Sequence, residues 1–288
     1  MTTEDNKSAG HKISPAFLVL ESIIFLLAQF LGLLLAWRLL QIEEIRAAIE
    51  AQSISVVQFL ISFAIGTIVI LLLIKFVKRD TVFRLALQAS IFLGALLFFD
   101  VWLPTLATVL VALAIALLRQ YLPIVLVHNI AIVLALAGIG AYIGTGFSAW
   151  QILIIIAILS VYDIIAVFRT KHMVKMFTKL TNKGATFSII VPSRLKNILS
   201  RLSKVKLDGS YSFLGTGDIA LPLMLAVAAL KMGWQYSLAV VIGALVGLIV
   251  MHWLQLKLKY NKPVAALPPI GGGAMLGFLV AHLTNMFL

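Results

Sequence analysis

Long stretches without a charged residue recur along this chain, and they limit its fold more than any other feature. Twenty-four uncharged residues separate Glu50 from Lys75, and 26 follow Lys262. A membrane-spanning helix needs about 20 predominantly apolar residues. Moreover, 62% of the residues are hydrophobic, against about 45–50% in a soluble domain. The pattern predicts an all-α, polytopic membrane protein, and it excludes a soluble globular enzyme, a disordered chain and a nucleic-acid-binding module.

Nine spans result when each gap between charges is treated as one segment. The gap between Arg119 and Arg169 holds 49 residues, which is too long for one span, and we expect the glycines from Gly138 to Gly146 to divide it. A long polar sixth loop then separates six spans from three. We predict an N-terminal six-helix part at 1–172, a basic cytoplasmic loop at 173–206 and a C-terminal three-helix part at 207–288.

The basic residues predict the orientation of these spans. Of the 23 Lys and Arg residues, 20 fall in the N-terminal tail and the even-numbered loops, and 3 in the odd-numbered loops. Because Lys and Arg are enriched on the cytoplasmic side, we predict a cytoplasmic N-terminus and an external C-terminus. The net charge of +12 therefore indicates topology rather than an anionic ligand.

Three of the acidic residues lie inside predicted spans, namely Glu21, Asp163 and Asp218. An ionisable side chain in the membrane is costly and is usually functional. Glu21 lies near the start of span 1, where it could reach the interface, so we expect a structural role. Asp163 lies about 9 Å from the cytoplasmic end of span 6, and Asp218 about 15 Å from that end of span 7. Since these spans are consecutive and antiparallel, the two carboxyl groups can face each other.

Two facing carboxyl groups in a low dielectric cannot both ionise, so they share a proton. This arrangement can activate water on one carboxylate while the other, protonated group polarises a carbonyl, as in aspartic proteases. The same two acids also fit a proton- or ion-coupled secondary transporter, in which broken helices and midplane carboxyl groups recur. A third interpretation is a proton-sharing pair that only joins two helices.

The residues around the two aspartates favour an active site. Glycines permit close backbone approach, and a proline four residues after Asp218 should kink the helix there. Before Asp163 stands a tyrosine whose hydroxyl lies in hydrocarbon. The prolines at the start of span 9 should prevent a regular helix and leave backbone groups lining a cavity. These flanking residues are Tyr162, Gly215, Thr216, Gly217, Pro222, Ala265, Ala266, Leu267, Pro268 and Pro269.

Three motifs stand in this order: Tyr162-Asp163 in span 6, Gly215-Thr216-Gly217-Asp218 in span 7 and Ala265-Ala266-Leu267-Pro268 at span 9. In combination they resemble the signature of the presenilin and signal-peptide-peptidase intramembrane aspartyl proteases. The resemblance covers nearly the whole chain, including nine spans and a long sixth loop. It implies that Asp163 and Asp218 are the catalytic pair of a GxGD-type protease, that Gly215 and Gly217 shape the site, and that the span-9 segment supports it. The small size and absent cysteines resemble a microbial, archaeal homologue in a prokaryotic plasma membrane.

One departure from the family pattern concerns span 9. Ala265 stands where the family has proline, which could lower activity or alter specificity, although Pro263 and Pro268 could maintain the irregular backbone. A structural scaffold with a vestigial site therefore remains an alternative.

The expected substrates are single-span membrane proteins or signal-peptide remnants within the lipid bilayer. No cofactor, metal or nucleic acid is expected, and a homo-oligomer stays open. Histidine spacing argues against a zinc site, and no Gly-x-Ser-Gly motif indicates a serine protease.

Span 5 and the sixth loop each contain a segment whose structure we can predict. His128 and Asn129 in span 5 should form a buried hydrogen bond between helices. In the sixth loop, residues 175–180 alternate basic and apolar residues and could lie on the membrane surface. The β-branched stretch from Thr186 to Pro192 predicts a strand near the active site, which could pair with an unwound substrate by strand addition.

Overall fold

The computed structural model of the protein describes residues 15–51, 55–77, 79–169, 179–181, 184–205, 210–257 and 264–287. Most of these residues are helical. The predicted surface segment 175–180 lies largely outside them, as does Pro263. The α-helices are α1 (Pro15–Gln41), α2 (Glu43–Ala51), α3 (Val56–Phe76), α4 (Asp80–Phe99), α5 (Thr105–Tyr121), α6 (Val125–Thr145), α7 (Ala149–Ile164), α8 (Thr216–Leu230), α9 (Trp234–Lys257) and α10 (Leu267–Phe287).

Short irregular elements connect α7 to α8. A π-helical turn, Ile165–Arg169, continues α7, and two 3₁₀ turns cover Leu195–Leu199 and Leu202–Lys204. Strands β1 (Ser188–Pro192) and β2 (Tyr211–Gly215) pair in an antiparallel sheet. The predicted strand in the sixth loop is thus confirmed.

The nine predicted spans match nine apolar helices. Within the described residues, seven helices are long and apolar enough to cross a bilayer, and two shorter apolar helices, α5 and α8, accompany them. The predicted division of the longest gap is also confirmed, because α6 ends at Thr145 and α7 begins at Ala149. Ser148 starts α7 by accepting a hydrogen bond from the N–H of Gln151, whose side chain bonds back to the Ser148 N–H, a capping box.

Helix α8 forms the centre of the bundle. Eleven of its 15 residues are buried, and it packs against α1, α6, α7, α9 and α10. Glycines let the surrounding helices approach closely. A methyl group on Gly144 of α6 would lie 3.0 Å from the backbone of Met224, so α6 can pack here only without a side chain.

Helices α9 and α10 join through glycines spaced four residues apart, Gly243 and Gly247 on α9 and Gly273 and Gly277 on α10. A methyl group on Gly243 would overlap the carbonyl oxygen of Gly273, and one on Gly273 would overlap that of Gly243. Small residues at this spacing drive helix association in membranes, where apolar side chains gain little by leaving lipid. The close contact fixes α10 on the bundle.

Helix α3 lies at the edge of the bundle and has no buried residue. Its contacts include two edge-to-face ring pairs. Phe59 meets Phe147 with centroids 5.5 Å apart, and Phe63 meets Tyr162 at 5.9 Å.

Candidate active site

Asp163 lies in the last turn of α7 and is 5% exposed. Its Oδ2 atom accepts a hydrogen bond from the backbone N–H of Leu267 at 3.3 Å. That amide belongs to the first turn of α10, where N–H groups have no partner within the helix. The start of α10 therefore holds the Asp163 carboxyl group.

Asp218 lies in the first turn of α8 and is partly exposed. Its carboxyl group accepts a hydrogen bond from the backbone N–H of Gly215, the residue that precedes the helix. A methyl group on Gly215 would lie 2.8 Å from Asp218 Oδ2. A larger residue at this position would therefore require the carboxyl group to shift.

The structure brings the two carboxyl groups close enough to interact electrostatically. Helices α7 and α8 are packed together, so both acids lie at the same end of the bundle, as their depths predicted. Among the described residues, no three His, Asp or Glu side chains gather in an arrangement that could hold a metal ion. Asp163 and Asp218 form the predicted carboxyl pair, and Glu21 of α1 also lies close enough to Asp218 to interact with its charge.

Other predicted site residues surround this pair. A methyl group on Gly217 would meet no described atom within 4 Å, so space remains beside Asp218. The hydroxyl of Thr216 donates to the carbonyl of Phe187 at 3.5 Å and ties α8 to the segment before β1. Pro222 is buried, and the helix runs on through it. Because proline has no N–H, the carbonyl of Asp218 lacks its usual helical donor.

The span-9 segment reaches the site through Leu267. The structure corrects our expectation about the prolines, because Pro268 lies inside the first turn of α10, where a missing N–H costs nothing. The non-helical backbone is instead 264–266. Ala265 is 4% exposed, and Ala266 accepts a hydrogen bond from the Ile270 N–H through its carbonyl.

A second correction concerns the start of span 7. The sequence suggested a helix from near Asp208, but the chain forms β2 up to Gly215 and becomes helical only at Thr216. Asp218 therefore lies where a strand turns into a helix. Gly215 itself has extended backbone angles, φ −62° and ψ 142°, which other residues can also adopt.

Strand β1 has partners on both sides. One side pairs with β2. On the other, the Asn129 side chain accepts from the Ile190 N–H at 2.9 Å and donates to the Ile190 carbonyl at 2.7 Å. His128 Nε2 lies 2.9 Å from the Ser188 carbonyl oxygen. The predicted hydrogen bonds are buried, but they join α6 to a strand rather than to another helix.

A buried arginine fixes the tautomer of His128. Arg119 Nε lies 3.4 Å from His128 Nδ1, and a guanidinium group can only donate. Nδ1 therefore accepts, and Nε2 carries the hydrogen that bonds to Ser188. Gln88 accepts from Arg119 Nη1 at 3.2 Å, so a chain of hydrogen bonds runs from α4 and α5 to β1.

Sequence reasoning missed the contribution of α1. Gln29 is 1% exposed, and its Nε2 donates to the carbonyl of Ile219 at 3.1 Å, one residue after Asp218. Glu21 was expected near the interface, but it is buried beside His252. The sequence did carry one signal for Gln29: an amide side chain in the middle of an apolar span.

A cavity of about 590 Å³ lies far from this site, at the other end of the bundle, lined among others by Trp37, Phe147 and Lys231. Asp163 lies 14 positions after Ala149, which places the two ends about 21 Å apart along the helix. The carboxyl pair does not line this cavity.

The arrangement can bind and polarise water. One carboxylate can take a proton from water while the other, protonated group donates to a carbonyl oxygen, and each group is held by a backbone N–H. This is acid–base hydrolysis without a covalent intermediate.

Comparisons with known proteins agree with this geometry. Residues 22–286 match the family described as "Signal-peptide peptidase, presenilin aspartyl protease". A solved presenilin family intramembrane aspartate protease in the C222 space group is similar, with a TM-score of 0.65 and 25% identity over 93% of this chain and 99% of that one. A second, in the P2 space group, has a TM-score of 0.60 and 23% identity over 91% and 96% of the two chains. No curated protein matches the sequence.

Proposed function

The chain belongs to the signal-peptide peptidase and presenilin aspartyl protease family, and we propose that Asp163 and Asp218 are its catalytic pair. As a family member it is a multi-pass intramembrane aspartyl protease, and the matches give no support to the transporter alternative. The observation that carries the proposal is that two carboxyl groups on packed helices lie close enough to interact electrostatically, one of them held by the start of α10. The sequence from Gly215 to Asp218 further supports assignment to the GxGD type.

The proposed reaction uses one proton shared by the pair. The ionised carboxylate removes a proton from water, and the resulting hydroxide attacks the peptide carbonyl. The protonated partner gives its proton to the carbonyl oxygen. The tetrahedral intermediate then collapses: one of its hydroxyl groups returns a proton to the carboxylate that had protonated the carbonyl oxygen, the C–N bond breaks, and the leaving nitrogen takes a proton from the carboxyl group that had received one from water. The pair thus ends with its one shared proton restored. The Leu267 N–H keeps Asp163 oriented throughout, because hydrogen bonds to a charged acceptor are strong.

Supporting roles follow from the contacts. Gly215 supplies the N–H for Asp218, and Gly217 leaves room for the substrate backbone. Thr216 fixes the start of α8, and Tyr162 carries the contact from α7 to α3. In this proposal the backbone of Ala265, Ala266 and Pro268 presents the Leu267 amide, so alanine at 265 is compatible with activity.

Substrates in this proposal are single-span membrane proteins or signal-peptide remnants that unwind beside β2. A helix hides its peptide bonds, so cleavage requires local extension, and an added strand would satisfy the exposed backbone groups. Since Asn129 already bonds to β1 on the side away from β2, the added strand would have to pair with β2.

We further propose a cytoplasmic N-terminus and an external C-terminus in the plasma membrane of a prokaryote, supported by the 20 to 3 distribution of basic residues. The small chain and absent cysteines support an archaeal origin. The carboxyl pair would then act near the cytoplasmic side.

The decisive experiment uses the purified protein in lipid with a single-span model substrate. We expect Asp163→Asn and Asp218→Asn each to lower kcat by at least about 1,000-fold, within the range of lost acid–base catalysis. The matched control is Asp100→Asn, an exposed aspartate after α4, which should leave kcat unchanged. A transition-state analogue of aspartic proteases should inhibit the unmodified protein. Cleavage that survives either active-site change would refute the assignment.

Strand addition has its own test on the substrate. Prolines at Ile189 and Ile190 would disrupt the sheet itself, because the Ile190 N–H bonds to Asn129. Substrates N-methylated at one backbone amide after another avoid that problem. Pairing with β2 predicts that kcat/KM falls at every second position, since alternate amides face the neighbouring strand. A uniform response along the substrate would contradict strand addition.

A further inference from the structure

Glu21 on α1 and His252 on α9 form a buried pair that the proposed chemistry does not use. Glu21 is 1% exposed and His252 is 3% exposed. Glu21 Oε2 lies 3.3 Å from His252 Nε2. By distance and angle, neither carboxyl oxygen of Glu21 and neither ring nitrogen of His252 has a hydrogen-bond partner among the described residues, so the two groups lie in contact without a well-aligned hydrogen bond.

This pair is expensive to bury, so its retention needs a reason. Ionisable side chains in membrane spans are rare and commonly mark functional sites. Apolar side chains of similar volume often give equal or greater stability than a buried ion pair. Stability alone therefore does not account for a carboxyl and an imidazole group in this position.

The location of the pair supplies a reason. The Glu21 carboxyl group lies beside the hydroxyl of Ser212 in β2 and close enough to Asp218 to interact with its charge. Strand β2 leads directly into α8 through Gly215. Glu21 thus contacts the segment that places Asp218.

Helix α1 makes a second polar contact in the same region. Gln29 lies two turns after Glu21, on the same side of the helix, and donates to the carbonyl of Ile219. One polar face of α1 therefore adjoins the strand before Asp218 and bonds to the first turn that carries it. His252 of α9 lies against Glu21.

We propose that Glu21 and His252 are a positioning pair that holds β2 and the first turn of α8, and with them Asp218, in the geometry required for hydrolysis. The pair touches neither substrate nor water in the reaction. It acts through Ser212 and the backbone of β2. This inference rests on the proposed catalytic role of Asp218.

The test is a double-mutant cycle with Glu21→Gln, His252→Gln and both together, assayed in lipid with the single-span substrate. Each single change should lower kcat by about 10–100-fold, as losses of supporting contacts around active sites do, and leave KM within about two-fold. Because the two side chains act together, the double variant should lose no more than one single variant. Multiplied losses, or an unchanged kcat, would overturn the proposal.

A structural control separates positioning from loss of fold. Ser237 is a buried polar residue of α9 whose hydroxyl donates to the Ala226 carbonyl at 2.8 Å. Ser237→Ala should lower the thermal unfolding midpoint without changing kcat per folded molecule. If Glu21→Gln behaved the same way, its role would be structural only. Asp218→Asn distinguishes the two proposals: an active variant defeats the catalytic assignment, whereas an inactive one beside a fully active Glu21→Gln defeats only this inference.

Discussion

Helices α3 and α8 differ in a way that hydropathy does not anticipate. Helix α3 has the highest mean hydropathy of the seven long spans, yet none of its residues is buried. Helix α8 has only 15 residues, and eleven of them are buried. In a bilayer, apolar side chains gain little by exchanging lipid for protein. Hydropathy in this chain therefore does not report burial: the helix with the highest value is peripheral, whereas close packing with small residues marks the core.

This difference predicts unequal costs for the same truncation. Leu223 of α8 is fully buried, so Leu223→Ala leaves a cavity and should lower the free energy of unfolding by about 2–5 kcal/mol. Leu72→Ala in α3, where the side chain is 48% exposed, should change it by less than about 0.5 kcal/mol. Thermal unfolding in one detergent gives both values. Equal losses would show that α3 is packed as tightly as α8.

Adding a methyl group, rather than removing side-chain atoms, should also affect the core and the peripheral helix α3 differently. On Gly144, a methyl group would lie 2.9 Å from Val227 Cβ and 3.0 Å from the Met224 backbone, so Gly144→Ala should destabilise the protein by about 1–3 kcal/mol. No described atom lies within 4 Å of a methyl group on Gly66 of α3. Gly66→Ala should therefore be neutral or stabilise by up to about 1 kcal/mol through helix propensity. Unfolding midpoints of the two variants decide the matter, and a destabilising Gly66→Ala would contradict the peripheral position of α3.

The smallest expected effect concerns what attaches α3. A double-mutant cycle with Phe59→Leu and Phe147→Leu should give a coupling energy of about 0.5–1.5 kcal/mol, the usual strength of an edge-to-face pair. The same unfolding assay measures it. A coupling near zero would mean that other contacts hold α3 in place.

The sequence predicted those features that follow from spacing and chemical type. Charge-free lengths gave nine spans, the glycines before Ala149 gave the break between α6 and α7, and the depths of Asp163 and Asp218 gave their proximity. The β-branched residues gave β1. Each was derived from the length or composition of a local segment, and the proximity of the two aspartates also required the antiparallel order of consecutive spans.

Features that depend on distant partners could not be read in the same way. Strand β2 has no β-branched residue, and it forms because β1 offers a partner. That Asn129 would bond to Ile190, or that Glu21 would lie against His252, depends on how elements separated by many residues pack. The sequence predicted a supporting role for the span-9 segment but did not single out the Leu267 N–H, because every residue except proline carries a backbone N–H.

The contacts at the two ends of α8 bear on how Asp218 can move. Lys231, directly after α8, donates to the carbonyls of Thr145 and Phe147 at 3.0 and 2.7 Å, and Gln29 holds the first turn. Because both ends of α8 are anchored, the helix resists translation along its axis but can bend. Pro222 lacks the N–H that would bond to the Asp218 carbonyl, so the helix bends most easily between these two residues. Adjustment of the catalytic distance to an arriving peptide bond should therefore be a small flexure about Pro222 rather than a displacement of the whole helix.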